Sequence, residues 1–224
     1  MLVSRQPDAI PDDTERGPKA RTRRLMLEAA IRLMQAGITP SVSEVAEAAE
    51  VSRATAYRYF PSQAALVQAV VGEGLGPILT WRSASADPAV RVADLIDTAM
   101  PRIEDFEATF KAALKLSLDQ WAQRQAGTLG LEPQFTRGHR VELLEDAVAP
   151  LRDVLPPEHF ERLAQALSLV FGVEVLIVLK DIWGLDGDGA RSVARWAAAA
   201  LVSAAVSENS ANQQKEAMSA AAMP

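Results

Sequence analysis

Side chains that can donate hydrogen bonds lie close together in the segment VSRATAYRYF, residues 51–60. Guanidinium and hydroxyl groups donate to phosphate oxygens and to the edges of bases in a major groove. The segment ends in a phenylalanine of the kind that usually packs in a core. It therefore predicts an outward surface that contacts a polyanion, made by Arg53, Thr55, Tyr57 and Arg58.

The charge of the chain is unevenly distributed along its 224 residues. Residues 16–63 contain eight Lys or Arg against four Asp or Glu, whereas residues 64–224 contain 14 against 21. The formal net charge of the whole chain is −6. A basic N-terminal part on an acidic body indicates that only the N-terminal part approaches a polyanion. Chance clustering of the basic residues is the alternative.

Two short helices are predicted to position the donor side chains. Ser41 and Glu44 have the spacing of a capping box that begins the first of these helices. The hydroxyl of Ser52 is predicted to cap the second, and the tight link between them makes residues 41–60 a helix-turn-helix. Short helices need tertiary packing, so some residues must face inward. These are Val45, Ala49, Val51, Ala56 and Phe60.

The rest of the chain also has helical periodicity and no convincing period of two, so the fold class is predicted to be all-α. An apolar stripe of Met26, Ala30, Leu33 and Met34 marks the first helix. We predict a flexible basic arm over 1–20, the helix-turn-helix domain over 21–66, a helical bundle over 67–206, and a disordered tail over 207–224. Further helices are predicted over 62–80, 88–103, 104–126, 138–153, 157–182 and 187–206.

The segments TRRLMLEAAIRLM, SVSEVAEAAE and VSRATAYRYFPSQAAL resemble the N-terminal signature of the TetR-type transcriptional regulators. The resemblance covers about residues 22–66. It implies a ligand-responsive repressor that binds a near-palindromic DNA operator as a dimer and is released by a small-molecule effector. Two positions depart from the family pattern. Glu50 stands where glycine is common, which predicts a small strain or a different turn. Gln63 stands where lysine is frequent, which predicts a weaker phosphate contact or one made by a backbone amide.

The resemblance also implies which residues contact DNA. Phosphate contacts are expected from Ser41, Val42, Thr55, Tyr57 and Tyr59, and base contacts from Arg53 and Ala54. Arg58 is expected to make either kind, and Thr55 can reach a base edge as an alternative. Free amides at the helix start at Ser52, and the side chain or backbone of Gln63, complete the set. Alternatively, the tyrosines only pack and the arginines are solvated. The arm residues Arg16, Lys19, Arg21, Arg23 and Arg24 either add contacts or are solvated as well.

Two further features concern dimerisation and ligand binding. The segments about 157–182 and 187–206 are apolar enough to pair with a second copy, as the last two helices of the family do, or else lie inside a monomeric core. The resemblance implies a ligand cavity in the bundle, with Phe106, Phe110, Trp121 and Phe171 as aromatic candidates. Glu174 interrupts an apolar run, so it faces a cationic effector, pairs with an arginine, or is exposed at a helix edge.

Several function classes are not indicated by the sequence. The chain has no cysteine, which excludes disulfides, thiolate metal sites and cysteine nucleophiles. It has no Gly-rich phosphate loop, G-x-S-x-G or H-E-x-x-H, and its two histidines, His139 and His159, are far apart in sequence. We therefore predict no enzyme, catalytic residue, metal or cofactor. With no apolar leader and no run near ~20 apolar residues, a cytoplasmic location without membrane contact is expected. The alternative function is a helical ligand-binding or adaptor protein that does not bind DNA.

Overall fold

The computed structural model describes residues 17–131, 133–135 and 138–221, and this described part contains no strand. The prediction of an all-α fold is confirmed. Residues 1–16, which include most of the predicted arm and Arg16, lie outside the described residues. The first helices are α1 (Pro18–Gln35), α2 (Val42–Ala48), α3 (Arg53–Tyr59), α4 (Gln63–Leu75), α5 (Pro88–Asp105) and α6 (Glu107–Gln125). The others are α7 (His139–Ala147), α8 (Pro157–Leu167), α9 (Val173–Leu176) and α10 (Gly187–Ala221).

The chain divides into two compact units. The first comprises the described residues of Met1–Val70 together with Lys115–Phe135, and the second comprises those of Val71–Leu114 and Thr136–Pro224. The sequence predicts domain boundaries after residues 20, 66 and 206, and the boundary after residue 66 separates the helix-turn-helix domain from the bundle. The structure instead assigns the second half of α6 and the segment after it to the first unit, a long-range association that local sequence patterns do not encode.

The core of the first unit is built from one face of each of its helices. In α1 the predicted stripe is buried at Met26, Ala30 and Met34, and Leu33 is only half-buried. Val42, Val45 and Ala46 of α2 are buried as well. Ala56 of α3 and Phe60 behind it complete the helix-turn-helix core, so its inward face is largely as predicted, although Ala49 and Val51 are half-buried.

The link between α2 and α3 contains the single described non-glycine residue with a positive φ, Glu50 at 55°. The amide of Glu50 donates to the carbonyl of Glu47 over 3.1 Å, and the amide of Val51 donates to that of Ala46 over 2.9 Å. These bonds close the end of α2 and hold Glu50 in the left-handed region. Of the two outcomes expected at this position, the structure therefore shows the strained turn.

Relieving this strain gives a first prediction. Glu50→Gly should raise the free energy of unfolding of the first unit by about 0.5–1 kcal/mol. A non-glycine residue in the left-handed region costs about 1–2 kcal/mol, which glycine would remove. Glycine has more freedom in the unfolded chain, and this lowers the free energy of unfolding by about 0.5–1 kcal/mol. The matched change Glu47→Gly, at an exposed position inside α2, should lower the same quantity by about 1 kcal/mol. Hydrogen exchange of the α2 and α3 amides measures both, and equal signs for the two variants would contradict the strained turn.

In the second unit, α10 packs against α5, and the buried face of α10 is a stripe of mostly small residues. Ala190, Ala194, Ala198 and Val202 repeat every fourth position and are buried. Small side chains at this spacing let two helix axes approach closely. The small-residue face of α10 is thus covered by the same chain, which is the second of the two alternatives that the sequence leaves open for that face.

The predicted single helix over 157–182 is wrong, because the chain is interrupted in its middle. A 3₁₀ turn at Ser168–Val170 follows α8, Gly172 adopts φ 109° and ψ −173°, and a π-helix at Ile177–Ile182 follows α9. The parts before and after the break lie at 47° to each other. That backbone region is essentially restricted to glycine, so Gly172 is the residue that permits the break.

The end of α10 also differs from the sequence prediction. Residues 207–221 continue the helix instead of forming a disordered tail, and residues 222–224 lie outside the described part. Asn209 is buried and its amide donates to the carbonyl of Val154 over 3.1 Å, which fixes this stretch of helix to the second unit. No single described helix is both long and apolar enough to cross a bilayer, although the bent pair Pro157–Val170 and Val173–Ile182 reaches that length and composition together.

Candidate nucleic-acid interface

Both helices of the helix-turn-helix begin at serine caps. The hydroxyl of Ser41 accepts from the amide of Glu44 over 3.2 Å, and the carboxylate of Glu44 accepts from the amide of Ser41 over 2.7 Å. These hydrogen bonds hold the pKa of Glu44 below its ordinary value, and the bond from the Ser41 backbone has the largest effect. The hydroxyl of Ser52 accepts from the amide of Thr55 over 3.1 Å and lies 2.9 Å from the Thr55 hydroxyl. The two predicted caps are confirmed.

The outward face of α3 presents the donor groups that the sequence singles out. Arg53, Ala54, Tyr57 and Arg58 are exposed, and Thr55 is half-buried. Neither arginine forms an ion pair within the described part of the chain. The guanidinium of Arg58 lies over the ring of Tyr59, 5.7 Å from its centroid, and the hydroxyl of Tyr57 lies 3.5 Å from that of Ser43. The face therefore combines two cationic groups with a phenolic donor and no carboxylate.

Tyr59 does not share this arrangement. Its side chain is half-buried, and its hydroxyl donates to the carbonyl of Lys19 over 3.1 Å. A phenol has a single hydrogen to donate, and a phosphate offers none in return. In this structure Tyr59 therefore ties the end of α3 to the first turn of α1. The phosphate contact expected of Tyr59 stays a prediction, and it would require the hydroxyl to give up this bond.

Gln63 is committed to the protein in the same way. Its amide nitrogen donates to the carbonyls of Thr39 over 3.2 Å and Pro40 over 3.1 Å, so both of its hydrogens are used. The remaining side-chain oxygen is an acceptor and cannot bind phosphate. Gln63 thus holds the chain that leads into α2. A phosphate contact at this position, from the side chain or from the backbone amide, stays a prediction.

The remaining residues of the expected set differ in how far they are buried. Val42 is 2% exposed, so its side chain belongs to the core and only its amide, at the first position of α2, can reach a phosphate. Ser41 is half-buried and Ser52 is exposed. The sequence pattern does not show which of these side chains are buried and which are exposed, because it gives residue types and not their partners.

Basic residues of α1 flank the helix-turn-helix. Lys19, Arg21, Arg23 and Arg24 are all exposed. The guanidinium of Arg23 lies 5.9 Å from the centroid of the Phe60 ring, and Arg24 pairs with Glu28 at 3.4 Å. Surface pairs of this kind contribute little and leave the cation accessible to another anion. The first unit therefore carries positive charge both on α3 and beside it.

Among the five candidate ligand residues, the structure records one pair that lies close together. Phe106 and Phe110 meet at Gly74, where an added Cβ would lie 3.2–3.3 Å from atoms of the two rings. Phe171 is buried, and Trp121 is 56% exposed on the part of α6 that belongs to the first unit. The carboxylate of Glu174 pairs with Arg140 at 2.6 Å, which is one of the three alternatives for that residue.

The pairing partner of Glu174 has a structural task that the sequence does not reveal. Arg140 also donates to the carbonyls of Ser168 and Phe171, over 3.3 and 3.2 Å. It thereby satisfies carbonyls that the break at Gly172 releases from helical hydrogen bonding. Glu174 thus stabilises the interruption between α8 and α9.

A second ionic cluster, also not anticipated, fixes the π-helix. Lys180 donates to Glu104 over 2.6 Å and to Glu107 over 2.8 Å, and these bonds raise its pKa. Lys111 pairs with Glu107 and Asp181, and its bonds to Asp181 and Glu107 raise its pKa. Burial opposes ionisation of Glu107, but the two lysines outweigh it and lower its pKa. The cluster joins the end of α5 and the first turns of α6 to the π-helix after α9, and its charged groups are paired with one another.

Comparison with known proteins gives three findings. The family described as "Bacterial regulatory proteins, tetR family" matches residues 26–70. The HTH-type transcriptional regulator BetI of Rhizobium meliloti (strain 1021) is 30% identical over 165 residues, which cover 70% of this chain and 78% of that protein. The crystal structure of a TetR transcriptional regulator from Rhodococcus sp. RHA1 superposes with a TM-score of 0.55 at 22% identity, covering 83% of this chain and 97% of that one. The last likeness concerns the fold alone.

Proposed function

The chain belongs to the TetR family of bacterial regulatory proteins, which regulate transcription through a DNA-binding helix-turn-helix, and we propose that it is a dimeric, ligand-responsive repressor. Each protomer would place α3 in the major groove of one half of a near-palindromic operator. Such a regulator works in the cytoplasm, beside the chromosome. The observation that carries the proposal is the outward face of α3, where Arg53, Tyr57 and Arg58 are exposed and no residue of the helix itself is acidic.

The separation of outward donor residues from buried residues on α3 supports a DNA contact. Arginine side chains reach phosphates and base edges, and a phenol donates to phosphate. The residues behind them, Ala56 and Phe60, are buried and hold the helix against the unit. Exposed cations on a rigid helix, supported by the basic residues of α1, form the arrangement that a duplex binds.

The two tyrosines give a prediction with an internal control. Tyr57→Phe should lower operator affinity about tenfold, because a hydrogen bond to a charged phosphate is lost, and should leave stability unchanged. Tyr59→Phe removes the bond to the Lys19 carbonyl. It should lower the free energy of unfolding by about 1 kcal/mol and leave affinity within about twofold. DNA titration and thermal unfolding of both variants measure this, and the reverse pattern would show that the two roles are exchanged.

The second unit supports dimerisation through an apolar surface that the protomer does not cover. On α10, Trp196 is 74% exposed and lies two positions from Ala194 and from Ala198, which places it on the opposite face from the buried stripe. Leu169, Ile182 and Trp183 are also largely exposed. Large apolar side chains that stay exposed are candidates for an interaction site. We assign this surface, the dimer surface of Leu169, Ile182, Trp183, Val193 and Trp196, to a second copy of the chain.

Release of DNA would follow a population shift. A small molecule bound in the second unit stabilises a dimer whose two α3 helices no longer match successive major grooves, about 34 Å apart. Within the candidate set, Phe106 and Phe110 are the pair that the structure brings together, and they are the first positions to substitute when an effector is sought.

The proposal is tested by selection from genomic fragments. Purified protein is mixed with a fragmented genome, and retained fragments are sequenced with and without excess nonspecific DNA. Retention of a few fragments that share an inverted repeat supports the repressor. If no fragment is enriched although the protein is folded and dimeric, the alternative function, a helical ligand-binding or adaptor protein, is favoured.

A further inference from the structure

Arg53 differs from every other donor on α3 because its side chain has no partner among the described residues. Its side chain is exposed, and no hydrogen bond, ion pair or ring contact joins it to the described residues. Its neighbour Ala54 is also exposed and adds only a methyl group, so it does not obstruct the guanidinium. The five N–H donors of Arg53 are therefore all available to a ligand.

The other donors of the face are less suited to reading bases. The hydroxyl of Thr55 lies 2.9 Å from that of Ser52, and Tyr57 offers a single O–H, which cannot distinguish bases by itself. Arg58 stacks over the ring of Tyr59 in the last turn of α3. In a helix-turn-helix, base edges are contacted mainly by the early residues of the second helix. Arg53, the first residue of α3, meets this condition and Arg58 does not.

We propose that Arg53 determines operator specificity by selecting guanine, a proposal that rests on the DNA-binding function above. Guanine is the base whose major-groove edge offers two acceptors, O6 and N7, at the spacing of the arginine fork. The sequence RATAYRY has no Asn or Gln to pair with adenine and no carboxylate to accept from cytosine. In a twofold dimer, each half-site then contains one guanine at the same position, so one strand reads guanine in one half and cytosine in the other.

Selection from a randomised duplex pool tests the proposal, with the full-length protein and its Arg53→Gln and Arg53→Lys variants. The wild type should enrich an inverted repeat with an invariant guanine, which it prefers over other bases by roughly 10- to 100-fold. Because glutamine pairs with adenine, Arg53→Gln should change the preferred base at that position to adenine. Arg53→Lys retains the charge but not the fork, so it should reduce the preference at that position and keep the salt dependence.

The matched control is Arg58→Gln, the same change five residues later. It should weaken binding to all fragments and leave the guanine in place. The proposal is overturned if Arg53→Gln enriches the wild-type repeat unchanged, or if Arg58→Gln alters the guanine position. Failure of the DNA-binding function itself looks different, because the wild type would then enrich no repeat at all.

Discussion

Replacing Trp196 by glutamate is expected to convert the dimer into monomers and to lower operator affinity more than about 100-fold. Trp196 is the largest exposed side chain on α10, on the face opposite the stripe that packs against α5. Large aromatic residues at the centre of an interface contribute about 2–4 kcal/mol each, and an unpaired carboxylate in their place adds a desolvation cost. A monomer then binds half-sites one at a time and loses the advantage of simultaneous engagement.

The chain offers a matched control for this change. Trp121 is also exposed, but it lies on the part of α6 that belongs to the first unit and outside the dimer surface. Trp121→Glu should therefore leave the oligomeric state unchanged. Sedimentation velocity at micromolar concentration measures both variants. A dimeric Trp196→Glu protein, or a monomeric Trp121→Glu protein, would show that the dimer surface is assigned incorrectly.

Phe60→Ala is expected to destabilise the first unit by about 3–5 kcal/mol and to abolish operator binding. Phe60 is 3% exposed, closes the end of α3, and lies beneath the guanidinium of Arg23. Removing its ring leaves a cavity under a seven-residue helix, which has little stability of its own. The outward residues of α3 would then lose the rigid support on which their placement depends.

Phe160 provides the control for Phe60. It is 6% exposed, and the guanidinium of Arg152 lies 4.5 Å from its ring centroid, so the local chemistry is similar, but it belongs to the second unit. Phe160→Ala should increase hydrogen exchange in α8 and leave the α3 amides protected at low temperature. Phe60→Ala should instead increase hydrogen exchange of the α3 amides and leave the α8 amides protected. Equal loss of protection in α3 from both variants would contradict the assignment of Phe60 to a separate core.

The features that could be predicted from the sequence are those encoded over a few residues. A serine three positions before Glu44 and a serine before Arg53 specify caps locally, because the bonds they make span one helical turn. The apolar spacing of Met26, Ala30 and Met34 likewise specifies the inner face of α1. Strain at Glu50 could also be predicted from the sequence, since a tight link without glycine must place another residue at positive φ.

Features that depend on partners distant in the sequence could not be predicted from it. Tyr59 and Gln63 have the residue types of phosphate donors, and only the carbonyls of Lys19, Thr39 and Pro40 reveal that their hydrogens are used. The break at Gly172 is stabilised by Arg140, which lies more than thirty residues earlier in the chain. An apolar run with one glycine looks like a continuous helix when its bridging partner is unknown.

Fluorescence anisotropy of a selected operator fragment across a range of salt concentrations tests the central claim most directly. Exposed cations at Lys19, Arg21 and Arg58 of each protomer would neutralise about six phosphates. Affinity should then fall about 1,000-fold between about 50 and 200 mM salt, with a smaller slope for Arg58→Ala. Affinity that does not change with salt, or a slope that Arg58→Ala leaves intact, would contradict a duplex bound on the outward face of α3.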